Sequence, residues 1–220
     1  MTIKANTMAI QSEKDSSWLI HAKRAVDLLA AITAGFLLLP VFFLLVLLIR
    51  FGSPGPALYS QMRVGRHGRL FRIWKFRTMY IDADERLDSI LKENPAMHEE
   101  WQTNQKLKRD PRLTPVGVFL RKFSIDETPQ LWNIIIGDMS IVGPRPCTEE
   151  QIPLYGEVFY LYTRVRPGLT GLWQVSGRNN TTYAERVRLD ADYIQNWSIL
   201  LDTFILFKTI WVVLKQDGAY

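Results

Sequence analysis

The sequence predicts an α+β, mostly helical fold: a small domain carried behind an N-terminal, Pro-kinked membrane helix and edged by interfacial amphipathic helices. Three observations lead there. Residues 28–49 form an almost unbroken apolar run with Pro40 inside it. Two short apolar segments then flank Gly65-Arg66-His67-Gly68, and the last third, from Ala184 to Lys215, has a helical pattern. At 220 residues the chain suffices for one domain plus an appendage.

Residues 1–20 are polar and aperiodic, so 1–22 read as a tail or short surface helix and 23–50 as the membrane helix. At 1.5 Å per residue, residues 28–49 reach about 33 Å, close to the hydrocarbon thickness of a bilayer. Pro40 has no N–H to give the carbonyl of Phe36, so a break or bend is expected there. Lys23 and Arg24 precede the run, and Arg50, Arg63, Arg66 and Arg69 follow it. The positive-inside rule draws both ends to the cytoplasm, which suits a re-entrant helix; a tilted, kinked span is the alternative. The run is too long for a cleaved signal peptide and no small-residue cleavage site follows it.

Residues 51–220 are expected to form the globular part. Gly52-Ser53-Pro54-Gly55-Pro56 is a linker, and residues 57–61 and 70–76 read as the strands of a hairpin. Residues 82–107 are charged and helical in pattern, divided by Pro95. Thr128–Ile136 reads as a short apolar helix stopped by Gly137, Gly143-Pro144-Arg145-Pro146 as a rigid extended turn, and Arg166–Asn180 as a Gly-rich loop. Between Trp197 and Leu214, Asp202 and Thr209, with Gln216 beyond, recur every seven positions and leave an apolar face bearing Trp197, Phe204, Phe207 and Trp211. Such a helix suits the bilayer interface or a protein core, but it is too short and too charged to span.

A net charge of +5 favours anionic partners: acidic lipid, phosphorylated substrates or nucleic acid. Cys147, the single cysteine, excludes an internal disulfide, and the dispersed His21, His67 and His98 lack metal-ligand spacing. Ser124-Ile125-Asp126-Glu127 sets two carboxylates after the basic pair Arg121-Lys122 and before an apolar helix. One reading is a capping box, Ser124 capping the helix and Glu127 returning to its amide. The other is phosphate chemistry, with one carboxylate as nucleophile and another as a Mg²⁺ ligand. Arg145, fixed between two prolines, suits bidentate phosphate binding, and Arg121, Lys75 and Arg77 add cations. Trp74 and Phe76 interleave the last two as in nucleic-acid sites, yet nucleic acid needs neither the apolar run nor the aromatic terminal helix, and is not expected as a partner.

Taken together, Lys23-Arg24-x-x-Asp27, the Pro-broken helix, Lys75-Phe76-Arg77-Thr78-Met79, Asp110-Pro111-Arg112, Ser124 to Leu131, Gly137-Asp138-Met139-Ser140 and Val142 to Pro146 resemble the bacterial sugar transferase family, the monotopic phosphoglycosyl transferases. Arg166 to Gly171 and Gly177 to Asn180 resemble its hexose-transferring branch, in a short, catalytic-core form. The resemblance implies an enzyme of the bacterial inner membrane, with its catalytic domain facing the cytoplasm. It would take hexose 1-phosphate, of galactose or glucose, from a UDP-sugar to undecaprenyl phosphate and release UMP, opening exopolysaccharide, capsule or O-antigen assembly. By the same resemblance Asp126 is the nucleophile that carries the phosphosugar, Glu127 holds Mg²⁺, Arg121 and Arg145 bind phosphate with Lys75 and Arg77 beside them, and Pro40 breaks a re-entrant helix. Leu39 stands where the family has a serine before that proline. A membrane-attached, non-catalytic anion-binding scaffold is the alternative, and oligomeric state is not legible.

Overall fold

In the computed structural model, residues 2–104 (side chains from 18 to 102), 107, 109–177 and 181–215 are described. The sequence motif Arg178-Asn179-Asn180 and Gln216 lie outside them. The first element, α1, runs from Thr2 to Gly52 as one helix. The polar segment therefore continues the membrane helix instead of forming an element of its own. Pro40 lies inside α1, and the chain is helical on both sides of it. Proline subtracts one backbone hydrogen bond, while Leu38 and Phe42 on either side pack on the domain and keep both halves seated.

The expected hairpin follows as β1 (Leu58–Val64) and β2 (Leu70–Phe76), antiparallel, with Leu58 opposite Phe76 and Val64 opposite Leu70. Two charged helices, α2 (Ala83–Glu93) and α3 (Pro95–Asn104), divide at Pro95 as the sequence suggests. Next comes α4 (Pro115–Lys122), capped by Thr114, whose Oγ1 accepts the Gly117 N–H at 2.9 Å. A 3₁₀ turn (Ile125–Glu127) leads into α5 (Gln130–Ile136), which ends at Gly137.

A short parallel pair joins β3 (Ser140–Val142), for which the sequence carries no strand signal, to β4 (Gly168–Thr170), which lies inside the segment expected to be a Gly-rich loop. Its strands are three residues each, too brief for an alternating pattern to emerge. The backbones pass so closely that a Cβ on Gly168 would lie 2.1 Å from the Gly143 nitrogen. Small helices α6 (Ile152–Tyr155), α7 (Val158–Tyr162) and α8 (Leu172–Val175) precede α9 (Tyr183–Gln195) and α10 (Ile199–Lys215).

Two of the core clusters are assembled around α1. Ala31 packs with Phe71, Ile73, Leu131, Ile134 and Met139, and further along Leu45 and Ile49 pack with Ala57, Phe76 and Leu120. The opposite face of α1 exposes Leu29, Phe36, Leu37, Phe43 and Leu44. Its segment Trp18–Gly52 is long and apolar enough to cross a membrane. Both ends of the apolar run are tied to the domain. At the first, Asp27 accepts from Ser140 Oγ at 2.7 Å and the Ile141 N–H at 3.2 Å, and Lys23 meets Asp202 at 2.6 Å. At the second, Arg77 donates to the carbonyls of Ser53 and Pro54.

The terminal helix carries polar groups on its inner face beside Ile205: Asp202 is buried, and Thr209 shares a hydrogen bond of 2.7 Å with Thr170. Phe204, Phe207, Ile210, Trp211 and Leu214 face out. The inner face also joins the core, where Ile205 packs with Val142, Val175 and Tyr193, so the helix has both a core face and an exposed aromatic face.

Candidate active site

The site is built on the junction between α4 and α5. Gly117 brings α4 against the end of β2: a Cβ there would stand 1.9 Å from the Thr78 carbonyl oxygen, a contact that only glycine avoids. Thr114 seals the junction, its N–H and Oγ1 both donating to that carbonyl, at 2.9 and 3.3 Å. Arg121, one turn after Gly117, then reaches Thr78 Oγ1 through Nε at 3.0 Å and faces the carboxylate turn.

Ser124 adopts a left-handed conformation (φ 54°) and makes no side-chain cap, so the capping-box reading fails. The reversal at Ser124 turns Asp126 inward and sends Glu127 across to β2 and the 143–146 loop. Glu127 Oε1 accepts from Lys75 Nζ at 2.7 Å and from Arg145 Nη2 at 2.8 Å. Burial opposes ionisation of Glu127, but Arg145 and Lys75 outweigh it and hold the carboxyl well below its ordinary range.

Asp126 behaves oppositely. It is 8% exposed and, among the described residues, receives no hydrogen bond. Burial first, then the charge of Glu127, push its carboxyl up to about 6 against the pull of Lys75, Arg121 and Arg145. A carboxylate withdrawn from water, ringed by cations and undonated, is costly as structure and well prepared to attack an electrophile.

Asp126, Glu127, Lys75, Arg121 and Arg145 are thus brought together as the sequence suggested. Arg77 is not. Its side chain turns toward the linker, where it holds the carbonyls of Ser53 and Pro54, so it serves the seat of α1 and not the phosphate cluster. In a continuous strand Lys75 and Arg77, two apart, would share a face, but β2 ends at Phe76, and beyond it the Arg77 side chain turns to the linker carbonyls.

Sequence reasoning missed a second layer. Arg186 Nη2 donates to the Arg145 carbonyl at 3.1 Å, and Arg63 Nη1 to the Pro146 carbonyl at 3.3 Å. Burial, then the neighbouring Arg145 and Arg186, depress the Arg63 guanidinium. Cations gathered this closely call for an anion. The spacing Arg186 to Asp190, one helical turn apart, was the available sequence signal, and it is indistinguishable from an ordinary surface pair.

The carboxylates also bear on a metal. Among the described residues no group of three or more His, Cys, Asp or Glu converges. Mg²⁺ does not require one, since it typically binds through one or two carboxylates together with substrate phosphates and water. Asp126 with Glu127 fits that donor set, and Glu127 Oε2, whose contact to Arg145 Nη1 is long at 3.5 Å, retains lone pairs for it.

Comparison with known proteins accords with this geometry. The profile of the family described as bacterial sugar transferase matches residues 18–216. An exopolysaccharide production protein ExoY of Sinorhizobium fredii is 51% identical over 90% of this chain and 88% of its own length. A UDP-galactose-lipid carrier transferase of Erwinia amylovora is 49% identical over 90% of this chain and 41% of that protein. The undecaprenyl-phosphate galactose phosphotransferase of Salmonella typhimurium is 51% identical over 76% of this chain and 35% of that protein.

Proposed function

The chain belongs to the bacterial sugar transferase family, and from that premise we propose that it transfers a hexose 1-phosphate, of galactose or glucose, from a UDP-sugar to undecaprenyl phosphate, as a first step of exopolysaccharide or related glycan assembly. Family membership makes it a sugar-phosphate transferase. The observation that carries the finer reading is Asp126: buried, undonated, and set among Lys75, Arg121 and Arg145.

In the first half-reaction an Asp126 carboxylate oxygen attacks the β-phosphorus of the UDP-sugar. The bond from that phosphorus to the bridging oxygen breaks, and UMP leaves with the electron pair. In the second, a phosphate oxygen of undecaprenyl phosphate attacks the same phosphorus, the acyl phosphate bond breaks, and Asp126 is restored as the lipid diphosphate sugar departs. Arg121 faces the carboxylate turn with Nε alone committed to Thr78, so its terminal nitrogens suit the transferring phosphoryl group. Arg145 and Lys75 keep Glu127 ionised beside it. Mg²⁺ held by Glu127 with the donor diphosphate would neutralise charge on the departing phosphate.

The seating of α1 supports a shallow, re-entrant placement in the cytoplasmic membrane, with the domain on the cytoplasmic side. Lys23, Arg24 and Asp27 at one end and Ser53 and Pro54 at the other are fastened to one polar domain. An upright span would draw those charged ties into hydrocarbon. The outward aromatic face of α10 provides a second contact with the headgroup region, and the net positive charge favours anionic lipid.

The test is UMP release from a panel of UDP-sugars by purified protein with undecaprenyl phosphate and Mg²⁺. Release with one or two donors is expected; no release from folded protein with any donor would overturn the proposal. Tags at residues 1 and 220 are both expected to be cytoplasmic, and periplasmic labelling of either would refute the placement.

A further inference from the structure

Arg145 lies on a loop whose ends donate, Gly143 N–H to the Thr170 carbonyl and Cys147 N–H to Tyr162 Oη, and whose middle is held by its carbonyls. Pro144 and Pro146 have no N–H. Each of the four successive carbonyls is nevertheless gripped from a different direction. Gly168 N–H donates to Pro144 at 2.8 Å, Arg186 Nη2 to Arg145 at 3.1 Å, Arg63 Nη1 to Pro146 at 3.3 Å and Val64 N–H to Cys147 at 2.9 Å. Two of these donors are strand backbone, positioned by the fold. Arg186 is a side chain, and it grips the residue that meets Glu127.

The surroundings of Arg186 fix it in turn. It is buried on α9, with its guanidinium 4.9 Å from the Trp173 ring centroid and 5.1 Å from that of Tyr183. Flat aromatic faces suit the planar guanidinium. At its edge, Nη2 also reaches Tyr155 Oη at 3.3 Å, and Nε lies 3.8 Å from Asp190 Oδ2. Tyr155 Oη donates to that same Asp190 oxygen at 2.8 Å. Asp190 is 1% exposed, so burying this ion pair costs desolvation that a mere surface helix would not incur. A buried guanidinium stacked on two aromatic rings and set beside a buried carboxylate, with Nη2 directed at the backbone of a site residue, has the form of a brace.

Resting on the transferase reading above, we propose that Arg186, held by Asp190, Tyr155, Trp173 and Tyr183, is a positioning residue: through the Arg145 carbonyl it aims the Arg145 guanidinium at Glu127 and at the diphosphate of the donor. Its polar contacts are with the Arg145 carbonyl, Tyr155 and Asp190, and not with Asp126 or Glu127. Its effect therefore passes entirely through Arg145, which makes the proposal separable from a general loss of folding.

A double-mutant cycle tests it, with Arg186→Lys, Arg145→Ala and the double variant compared with the parent for UMP release and, without turnover, for UDP binding by calorimetry. Lysine keeps the charge but loses the fork. Arg186→Lys is expected to lower kcat/KM or UDP affinity about 10- to 100-fold in the parent and less than about twofold when Arg145 is already alanine. Tyr155→Phe, which removes only the hydroxyl between Arg186 and Asp190, should show the same dependence with a smaller loss and serves if Arg186→Lys does not fold. Equal losses in both backgrounds, or no loss in the parent, would overturn the proposal. Absence of UMP release from the parent would overturn the transferase reading and leave the cycle to be scored on UDP binding. A parent that neither turns over nor binds UDP overturns both.

Discussion

Asp27 and Asp202, at the seat of the membrane helix, and Asp126, at the carboxylate turn, are all withdrawn from water, and the protein treats them in opposite ways. Asp27 accepts from Ser140 and Ile141. Asp202 accepts from Lys23 at 2.6 Å, Tyr193 at 2.8 Å and Trp197 at 3.1 Å. Asp126 receives no hydrogen bond among the described residues, although three cations stand near it. A buried carboxylate that is fully donated is a joint; one that is surrounded but undonated retains its lone pairs for chemistry.

The sharpest way to break this comparison is Asp126→Asn. UMP release should fall by at least about 10³-fold. Stability should not fall. Because the folded carboxyl is raised to about 6 from 3.8, the folded chain binds that proton more tightly than the unfolded one. Stability is therefore lost as pH climbs from about 4 through 6, and the amide should recover about 1–3 kcal/mol at higher pH. A lower melting temperature for the variant at about pH 8, or retained turnover, would place Asp126 with the joints.

The converse change is Asp202→Ala, which strands the Lys23 ammonium, the Tyr193 hydroxyl and the Trp197 N–H. It should cost about 2–4 kcal/mol, read as a fall of roughly 5–15 °C in melting temperature in detergent. A shift of only a degree or two would show that this joint is idle.

Between these lies the pH dependence of turnover. Activity should rise about tenfold per unit below pH 6 as Asp126 ionises, then level off, while Glu127, held low by Arg145 and Lys75, stays ionised throughout. A flat profile from about pH 5 to 7 would separate the titration of Asp126 from the chemistry. The smallest effect is expected of Pro40→Ala. Restoring one helical hydrogen bond should leave both termini cytoplasmic, because the ties at Asp27, Asp202 and Arg77 hold either end of the run; relocation of a terminus in a tag-accessibility assay would give Pro40 the deciding role.

Much of this was legible in the chain. The apolar run, the Pro95 division and the Gly137 stop are local signals, and each marks an element as expected. Lys75, Arg121, Asp126, Glu127 and Arg145 were legible as a group through their resemblance to a family, and the structure brings them together. Arg77 was grouped with them by proximity in sequence, but it lies just past the end of β2 and holds the linker carbonyls of Ser53 and Pro54 instead. Arg186 and Asp190 were not legible at all. Two residues on, Arg188 and Asp192 repeat the same spacing at 3.0 Å and lie exposed, so spacing alone cannot tell a buried brace from a solvated pair.

By itself the sequence determined what is local and chemical: where apolar chain is long enough for a membrane, where proline and glycine end helices, and which residue types are on hand for phosphate transfer. Only the tertiary structure decided how each group is charged and used. Asp126 and Glu127 are neighbours of nearly identical chemistry, yet one is raised to about 6 and the other held low, because burial and the placement of Lys75 and Arg145, distant in sequence, set the free energy of each ionised form. The terminal helix likewise turns its polar stripe inward only because Thr170, Lys23 and Tyr193 are there to receive it.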